Sequence, residues 1–334
     1  MVELRETDRK NGDPERGTGG PEPGIGLCHC GEPGAVFLHY SSRHLCEKDF
    51  VRMFDKRFRK TVRAFGMIKK NDRIAVGLSG GKDSTVLLHS LAELKKDLPF
   101  ELIAITIDEG IKGYRARTLK IAQKECERLG IEQIVLRFEQ ETGRSLDKMM
   151  QVEKEGSPDD TNHLPCTQCG VVRRHLLNKG AREAKATKLA LGHNLDDLAQ
   201  TVLMNIMRNE PARLARLHEP VAKNPRFVSR IRPLMLTPEK ENAIYAMIKG
   251  IDIEHVECPY ARFAFRGHVR KMLNESEERY PGTKFKVVNA FLDMEGALRK
   301  KYADASAIKE CRSCGEPCSQ DVCMYCKRTK NSGL

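Results

Sequence analysis

The chain has 334 residues, 40% of them hydrophobic and 31% charged, which suits one large or two modest domains with a buried core. No apolar run approaches the roughly 20 residues of a membrane span, and Glu3, Arg5, Glu6 and Asp8 stand where a signal peptide would be apolar. A membrane or secreted protein is therefore not expected, and the chain reads as cytoplasmic. The net charge of +12 is concentrated in two stretches. Residues 48–70 hold nine Lys/Arg against Asp49 and Asp55, and residues 208–232 hold seven against Glu210 and Glu219. Such concentration points to a polyanion, nucleic acid first, with a solvated basic surface as the plain alternative.

In chain order, residues 1–26 are rich in Gly, Pro and charge and read as a disordered arm. A cysteine-bearing knuckle follows at 27–50. A helix is predicted over 47–65, with Phe50, Phe54, Phe58, Val62 and Phe65 inward and Arg52, Lys56, Arg57, Arg59, Lys60 and Arg63 as a basic face. From Arg73 onward, short apolar runs alternate with amphipathic segments. Strands are predicted at 74–78, 102–107, 133–138 and 188–191, and helices at 84–95, 114–129, 170–186 and 195–207. This alternation predicts an α/β fold with a doubly wound parallel sheet. Residues 140–165 read as a polar, mobile linker. Thr237-Pro238-Glu239 marks a helix start with Pro at the first helical position. Helices then run to about residue 303, and a cysteine-rich segment, 304–334, closes the chain. The domain plan is an arm at 1–26, a knuckle at 27–50, a catalytic body at 51–303 and a zinc ribbon at 304–334.

The first strand runs into Ser79-Gly80-Gly81-Lys82-Asp83-Ser84, and a helix begins at once. Adjacent glycines let a backbone approach an oxyanion, and the helix start offers unpaired N–H groups. Lys82 adds a point charge and Ser79 and Ser84 add hydroxyls. The Walker spacing is absent. A Gly-Gly turn with a capping Ser opens many ordinary helices, but six such residues between strand and helix favour phosphate binding.

Twelve cysteines in a reducing compartment are not expected to form disulfides, and eleven fall into three groups. Cys166-x-x-Cys169 with Cys258 reads as zinc, a redox pair or an iron–sulfur site. Three thiols without an evident fourth suit a cubane cluster, with His163 and His255 as candidate fourth ligands for zinc. Cys311-x₂-Cys314-x₈-Cys323-x₂-Cys326 is a zinc-ribbon spacing with Cys318 to spare. Cys28, Cys30 and Cys46 form the front group, and Cys126 reads as a buried apolar residue.

Residues 79–84 resemble the pyrophosphate loop of the adenine-nucleotide alpha-hydrolase-like (PP-loop) enzymes. The resemblance implies ATP cleavage between the α and β phosphates, adenylation of a carbonyl oxygen, and a flavodoxin-like parallel sheet. Further motifs are Asp108-Glu109-Gly110-Ile111 with Gly113-Tyr114-Arg115, Cys166-Thr167-Gln168-Cys169-Gly170 with Arg173-Arg174, Gly192-His193-Asn194-Leu195-Asp196-Asp197, and Cys258-Pro259. With these, residues 27–326 resemble the tRNA 2-thiouridine synthetases: the archaeal and eukaryotic wobble-uridine thiolation enzymes and their TtuA-type relatives.

The resemblance implies ATP, Mg²⁺, zinc and a [4Fe–4S] cluster on Cys166, Cys169 and Cys258. ATP adenylates the C2 oxygen of uridine and sulfide displaces AMP, a persulfide on one of the three cysteines being the alternative route. Asp197 becomes a catalytic carboxylate that binds Mg²⁺ or handles a proton, whereas Asp196 reads as a helix-start acid. Asp83 binds Mg²⁺ or caps its helix. Asp108, Gly192 and His193 join residues 79–84 around the nucleotide, and Arg173 faces the phosphates. In the front knuckle Asp49 stands where the family has histidine. Its zinc ligands are then Cys28, Cys30, Cys46 and Asp49, with His29, His39 and His44 as alternatives for the last. Residues 200–205, 213–216 and 265–270 look more like wobble-position enzymes than those acting on the T-loop uridine. The implied partners are tRNA and a ubiquitin-like sulfur carrier or inorganic sulfide, in a homodimer or heterodimer. Rival readings are a sulfur-free ligase such as a lysidine synthetase and a non-enzymatic zinc-ribbon nucleic-acid binder.

Overall fold

The computed structural model describes residues 26–156, 165–217, 226–254, 256–260, 265–302 and 309–330. The arm expected over 1–26 lies outside these residues except for Gly26, as do His163 and His255. Two short antiparallel strands, β1 (Val36–Leu38) and β2 (Arg43–Leu45), lead into helix α1 (Glu47–Ala64). Phe50, Phe54, Phe58 and Val62 are buried along one side of α1, as their spacing requires. Phe54 stacks on Tyr245 at 4.0 Å, which joins α1 to a later helix. Arg57 departs from the expected basic face. It turns inward to Glu241 at 2.5 Å and the Tyr40 hydroxyl at 2.6 Å.

The body alternates as the sequence predicts: β3 (Arg73–Gly77), α2 (Lys82–Lys95), β4 (Glu101–Asp108), α3 (Arg115–Leu129) and β5 (Gln133–Arg137). Two helices then occupy much of the expected linker, α4 (Phe138–Thr142) and α5 (Leu146–Gly156). Leu146, Met149 and Met150 of α5 are buried, and the polar residues between them hide this narrow apolar stripe in the sequence. Next comes α6 (Pro165–Glu183), which starts five residues earlier than predicted. Pro165 at its first position needs no N–H partner, so Cys166 and Cys169 lie within the first turns rather than ahead of the helix.

The chain continues through β6 (Lys188–Leu191), α7 (Leu195–Met207), α8 (Pro211–Leu214) and β7 (Ser229–Ile231). Three helices follow, α9 (Glu239–Ile248), α10 (Arg266–Arg279) and α11 (Thr283–Lys301). Pro238 is the cap of α9, with ψ of 144°, rather than its first helical residue, so the helix starts one position later than expected, at Glu239. The chain ends on β8 (Lys309–Glu310), β9 (Pro317–Cys318) and α12 (Met324–Lys330). No helix among the described residues is long and apolar enough to cross a membrane.

The five central strands form one parallel sheet ordered β5-β4-β3-β6-β7. Numbered along the chain this is 3-2-1-4-5, the first five strands of the 3-2-1-4-5-6 order of a dinucleotide-binding sheet rather than the 2-1-3-4-5 of flavodoxin. The order reverses between β3 and β6. In open α/β sheets ligands bind beyond the carboxyl ends of the strands at that reversal. Ser79-Gly80-Gly81 and Gly192-His193-Asn194 leave these two strands side by side.

Candidate active site and metal centres

The loop after β3 is built to hold its own backbone still. The Ser84 hydroxyl accepts from Ser79 N–H at 3.0 Å and donates to the Gly81 carbonyl at 3.0 Å. Gly80 has φ of +81°, and a Cβ there would lie 2.1 Å from the Thr118 carbonyl oxygen. Only glycine fits. Gly192 is squeezed similarly, since its Cβ would lie 2.9 Å from the Asp83 and Ser84 backbone. Buried Arg115 supports the loop from behind: it donates to the Ser79 carbonyl at 2.7 Å and to the Ile107 carbonyl, and pairs with Glu109 at 2.8 Å. Lys82 reaches Glu239 at 2.6 Å. Asp83 does not cap α2, whose cap is Gly81; its Oδ1 accepts from Asn194 at 3.1 Å and Asn242 at 2.7 Å.

Opposite the loop, α7 opens with a capping box in which Asn194 and Asp197 bond each other's backbone N–H. Burial pushes the Asp197 carboxyl up to about 6, Asp83 adding to the rise while Arg266 opposes it. Asp83 is raised too, by burial. Carboxylates destabilised in this way fit a bound cation or a shared proton. Asp196 points elsewhere. It is buried against Lys284 and accepts from the Glu239 N–H at 2.8 Å, so it anchors α9 and α11 to α7. Asp108 shapes its own turn by accepting from Gly110 N–H at 3.0 Å and lies 3.6 Å from Arg137.

His193 lines a cleft among arginines. Burial, then Arg232, Arg173, Arg266 and Arg230, drive its imidazole down to about 3, so it is neutral at physiological pH. Arg174 adds to this basin, and crowding with burial lowers Arg230 to about 10. Positive charge gathered in a concave wall attracts a polyanion.

The three central cysteines lie near one another beside Arg173. Cys166 Sγ donates to the Tyr260 carbonyl at 3.4 Å, which brings the Cys258 segment against the start of α6. Arg173 faces Cys169, Glu109, Tyr114 and Cys258, and its Nη1 lies 3.9 Å from Glu109. Burial raises all three thiols, Cys169 to about 12, with Arg173 counteracting. Their sulfurs do not all gather within the 4.8 Å that unites the ligand atoms of the two terminal clusters. Spacing wider than one ion allows fits a cluster that binds each thiolate to a different iron.

The C-terminal cluster assembles as its spacing implies, and the front cluster brings together the residues that the family resemblance implies. Cys311, Cys314, Cys323 and Cys326 converge within 4.8 Å, with Cys314 and Cys323 sulfurs 3.7 Å apart. Although burial opposes it, backbone N–H groups of Cys323 and Ser313 pull the Cys311 thiol down to about 6, as a metal thiolate needs. Cys318 stands outside and donates to the Gln320 carbonyl at 2.7 Å. Cys28, Cys30, Cys46 and Asp49 converge likewise; Cys28 Sγ donates to Asp49 Oδ2 at 3.2 Å. This front cluster borders a depression of about 710 Å³ shared with Lys48 and Arg52. Buried Cys126 faces no candidate ligand set among the described residues.

Several site residues carried no assigned role in the sequence. Glu109 and Arg115 lie inside quoted motifs, but their pairing spans the gap between β4 and α3. Glu239 and Asn242 enter from α9, more than 150 positions after the loop they touch, and no local pattern announces them.

A profile of the PP-loop domain family matches residues 48–276. A probable sulfurtransferase of Methanocaldococcus jannaschii is 36% identical over 303 residues, covering 90% of this chain and 86% of its own. The tRNA-5-methyluridine(54) 2-sulfurtransferase of Pyrococcus horikoshii is 32% identical, covering 89% of this chain and 91% of its own. Among solved structures, the U34-tRNA thiolase NcsA of Methanococcus maripaludis with its [4Fe–4S] cluster is 34% identical with a TM-score of 0.77, covering 94% of this chain and 98% of that one. The phosphate loop at the sheet's reversal, three cysteines beside Arg173, and these likenesses lead to one conclusion: the chain belongs to the PP-loop family of tRNA 2-thiolation sulfurtransferases.

Proposed function

We propose that this protein is an ATP-dependent tRNA sulfurtransferase that replaces the C2 oxygen of uridine with sulfur, at the wobble position. The observation that carries this reading is the continuous path from cysteines to phosphate loop: Arg173 to Glu109, Glu109 to Arg115, Arg115 to the Ser79 carbonyl. Activation and sulfur delivery are thus set on one rigid sheet edge. A carbonyl oxygen leaves poorly, and adenylation with loss of pyrophosphate turns it into AMP, which leaves well.

Backbone N–H groups of residues 79–84 and the start of α2 hold the phosphates, and Lys82 exchanges Glu239 for a phosphate oxygen. Gly192 and His193 form the adjoining wall. Mg²⁺ is held by Asp83 and Asp197, or Asp197 takes up the proton that the base must lose. A [4Fe–4S] cluster on Cys166, Cys169 and Cys258 supplies sulfur as a deprotonated nucleophile when bound. The arginine basin and the exposed face of α1 grip the tRNA backbone, which positions the anticodon loop without reading sequence. An unpaired loop base is accessible without melting a duplex. Gln200 and Thr201 clamp Arg266 at 3.1 and 3.0 Å, which unites two of the wobble-like stretches at the Asp197 end of the cleft. Zinc at Cys311, Cys314, Cys323 and Cys326 and at Cys28, Cys30, Cys46 and Asp49 stiffens knuckles flanking the catalytic body. Sulfur enters from a ubiquitin-like carrier or as inorganic sulfide.

The test is anaerobic turnover with tRNA, ATP and sulfide. Wild type should release AMP and form 2-thiouridine, located by mass mapping of tRNA fragments. Cys258→Ala should retain tRNA-dependent AMP release without thiouridine. AMP release by wild type with no sulfur incorporated overturns the reading in favour of a sulfur-free ligase, and thiouridine formation by Cys258→Ala at the wild-type level overturns the role given to the cluster.

A further inference from the structure

Cys258 differs from its two partners in how it is held. Cys166 and Cys169 are fixed by helix α6, whereas Cys258 belongs to no helix or strand. Its position depends on contacts made by its neighbours. Upstream, Glu254 N–H donates to the Gly80 carbonyl at 3.4 Å, a bridge that pairs this segment with the phosphate loop. Downstream, the half-buried Tyr260 donates its hydroxyl to Asp147 Oδ1 at 2.8 Å. Asp147 is itself oriented, because its other oxygen accepts from Lys112 N–H at 2.9 Å. Its helix is anchored by buried Leu146, Met149 and Met150. The Cys166 contact to the Tyr260 carbonyl needs a thiol proton and is lost when that sulfur is a metal thiolate. The Tyr260 hydroxyl bond has no such dependence.

We infer that Tyr260 and Asp147 form a clasp that holds Cys258 in position as the third ligand of the cluster, Tyr260 donating and Asp147 accepting. Both are positioning residues that act through Cys258. This inference rests on the cluster reading above. Without the clasp, the Cys258 segment loses its side-chain bond to α5 and keeps the Glu254 contact, the Glu257–Arg270 ion pair at 3.6 Å and its partial packing against the core. Cys258 then leaves more often, and the cluster edge it covers is exposed to oxygen.

The test is a cluster measurement, not a turnover assay. Wild type, Tyr260→Phe, Asp147→Ala and Asp147→Asn are reconstituted anaerobically with iron and sulfide and assayed for iron, sulfide and zinc. Loss of the iron–sulfur absorbance is then followed on exposure to air. Wild type should hold about four irons per chain. Tyr260→Phe and Asp147→Ala should keep zinc at the wild-type level and lose the absorbance about five-fold faster, the factor expected for one hydrogen bond. Asp147→Asn can turn its one oxygen to the Lys112 N–H and donate its amide to the Tyr260 oxygen, so it keeps the link and should stay near the wild-type rate. Wild-type decay rates in both Tyr260→Phe and Asp147→Ala overturn the clasp while leaving the cluster reading intact. Failure of wild type itself to take up iron overturns the cluster reading on which the clasp depends.

Discussion

Asp197 and His193 sit four positions apart with inverted ionisation, the carboxyl near 6 and the imidazole near 3. The group that titrates close to neutrality is therefore the acid, and the histidine is a neutral hydrogen-bonding wall. If Asp197 must be ionised to accept a proton or bind Mg²⁺, kcat/KM for thiolation rises as pH climbs through about 6 and then levels. Asp197→Asn should remove that step from the profile, while His193→Gln should leave it in place. The adjacent Asp196 has the opposite fate, since it is buried against Lys284. Lys284→Met strands that carboxylate and should cost about 3 kcal/mol in urea unfolding. Asp196→Asn combined with Lys284→Met should cost less than the two changes summed. At Gly80 the constraint is steric, so Gly80→Ala should abolish ATP binding while the zinc content stays that of wild type.

Among the elements, the C-terminal knuckle stands out because it packs on the helix that carries Cys166 and Cys169. Tyr325 lies between Cys323 and Cys326 in the sequence and stacks on His175 at 3.7 Å. Arg328 donates to Gln168, the residue before Cys169, at 2.9 Å. Asn178 and Glu316, 3.0 Å apart, complete the seam. Cys326→Ser should therefore lower iron as well as zinc when both are assayed on the purified protein. The front cluster lies beside an open depression, whereas Cys311, Cys323 and Cys326 are buried, so a chelator should strip zinc in two phases, the front site first.

The same elements show what the sequence made legible. Three of the five sheet strands, β3, β4 and β6, are apolar runs buried through their middles, and the partly buried edge strand β5 still carries Ile134-Val135-Leu136, a pattern visible along the chain. The fifth, Ser229-Arg230-Ile231, is too short and polar to register, and α5 buries only a narrow stripe. Contiguous motifs such as residues 79–84 and the four-cysteine spacing could be read directly, because their chemistry is local. Glu239, Asn242 and Lys284 could not, because their partners lie on distant elements that only the folded chain brings together.

At the scale of the whole molecule, the charge excess divides between two surfaces with different duties. Around His193 the arginines crowd into the cleft, whereas Lys56, Lys60 and Arg63 on α1 remain exposed. Replacing these three by Ala should weaken tRNA binding similarly for all sequences and flatten its dependence on salt. Nucleotide affinity should be unchanged, since α1 does not line the phosphate loop. The bridge between Gly80 and Glu254 joins the nucleotide loop to the strand of chain that bears Cys258. Two ligands that draw on one such bridge are thermodynamically linked, and linkage is reciprocal. Whatever factor a bound nucleotide contributes to cluster retention, the cluster must return to nucleotide affinity, so the ratio of ATP dissociation constants with and without iron reads out the strength of that one bridge.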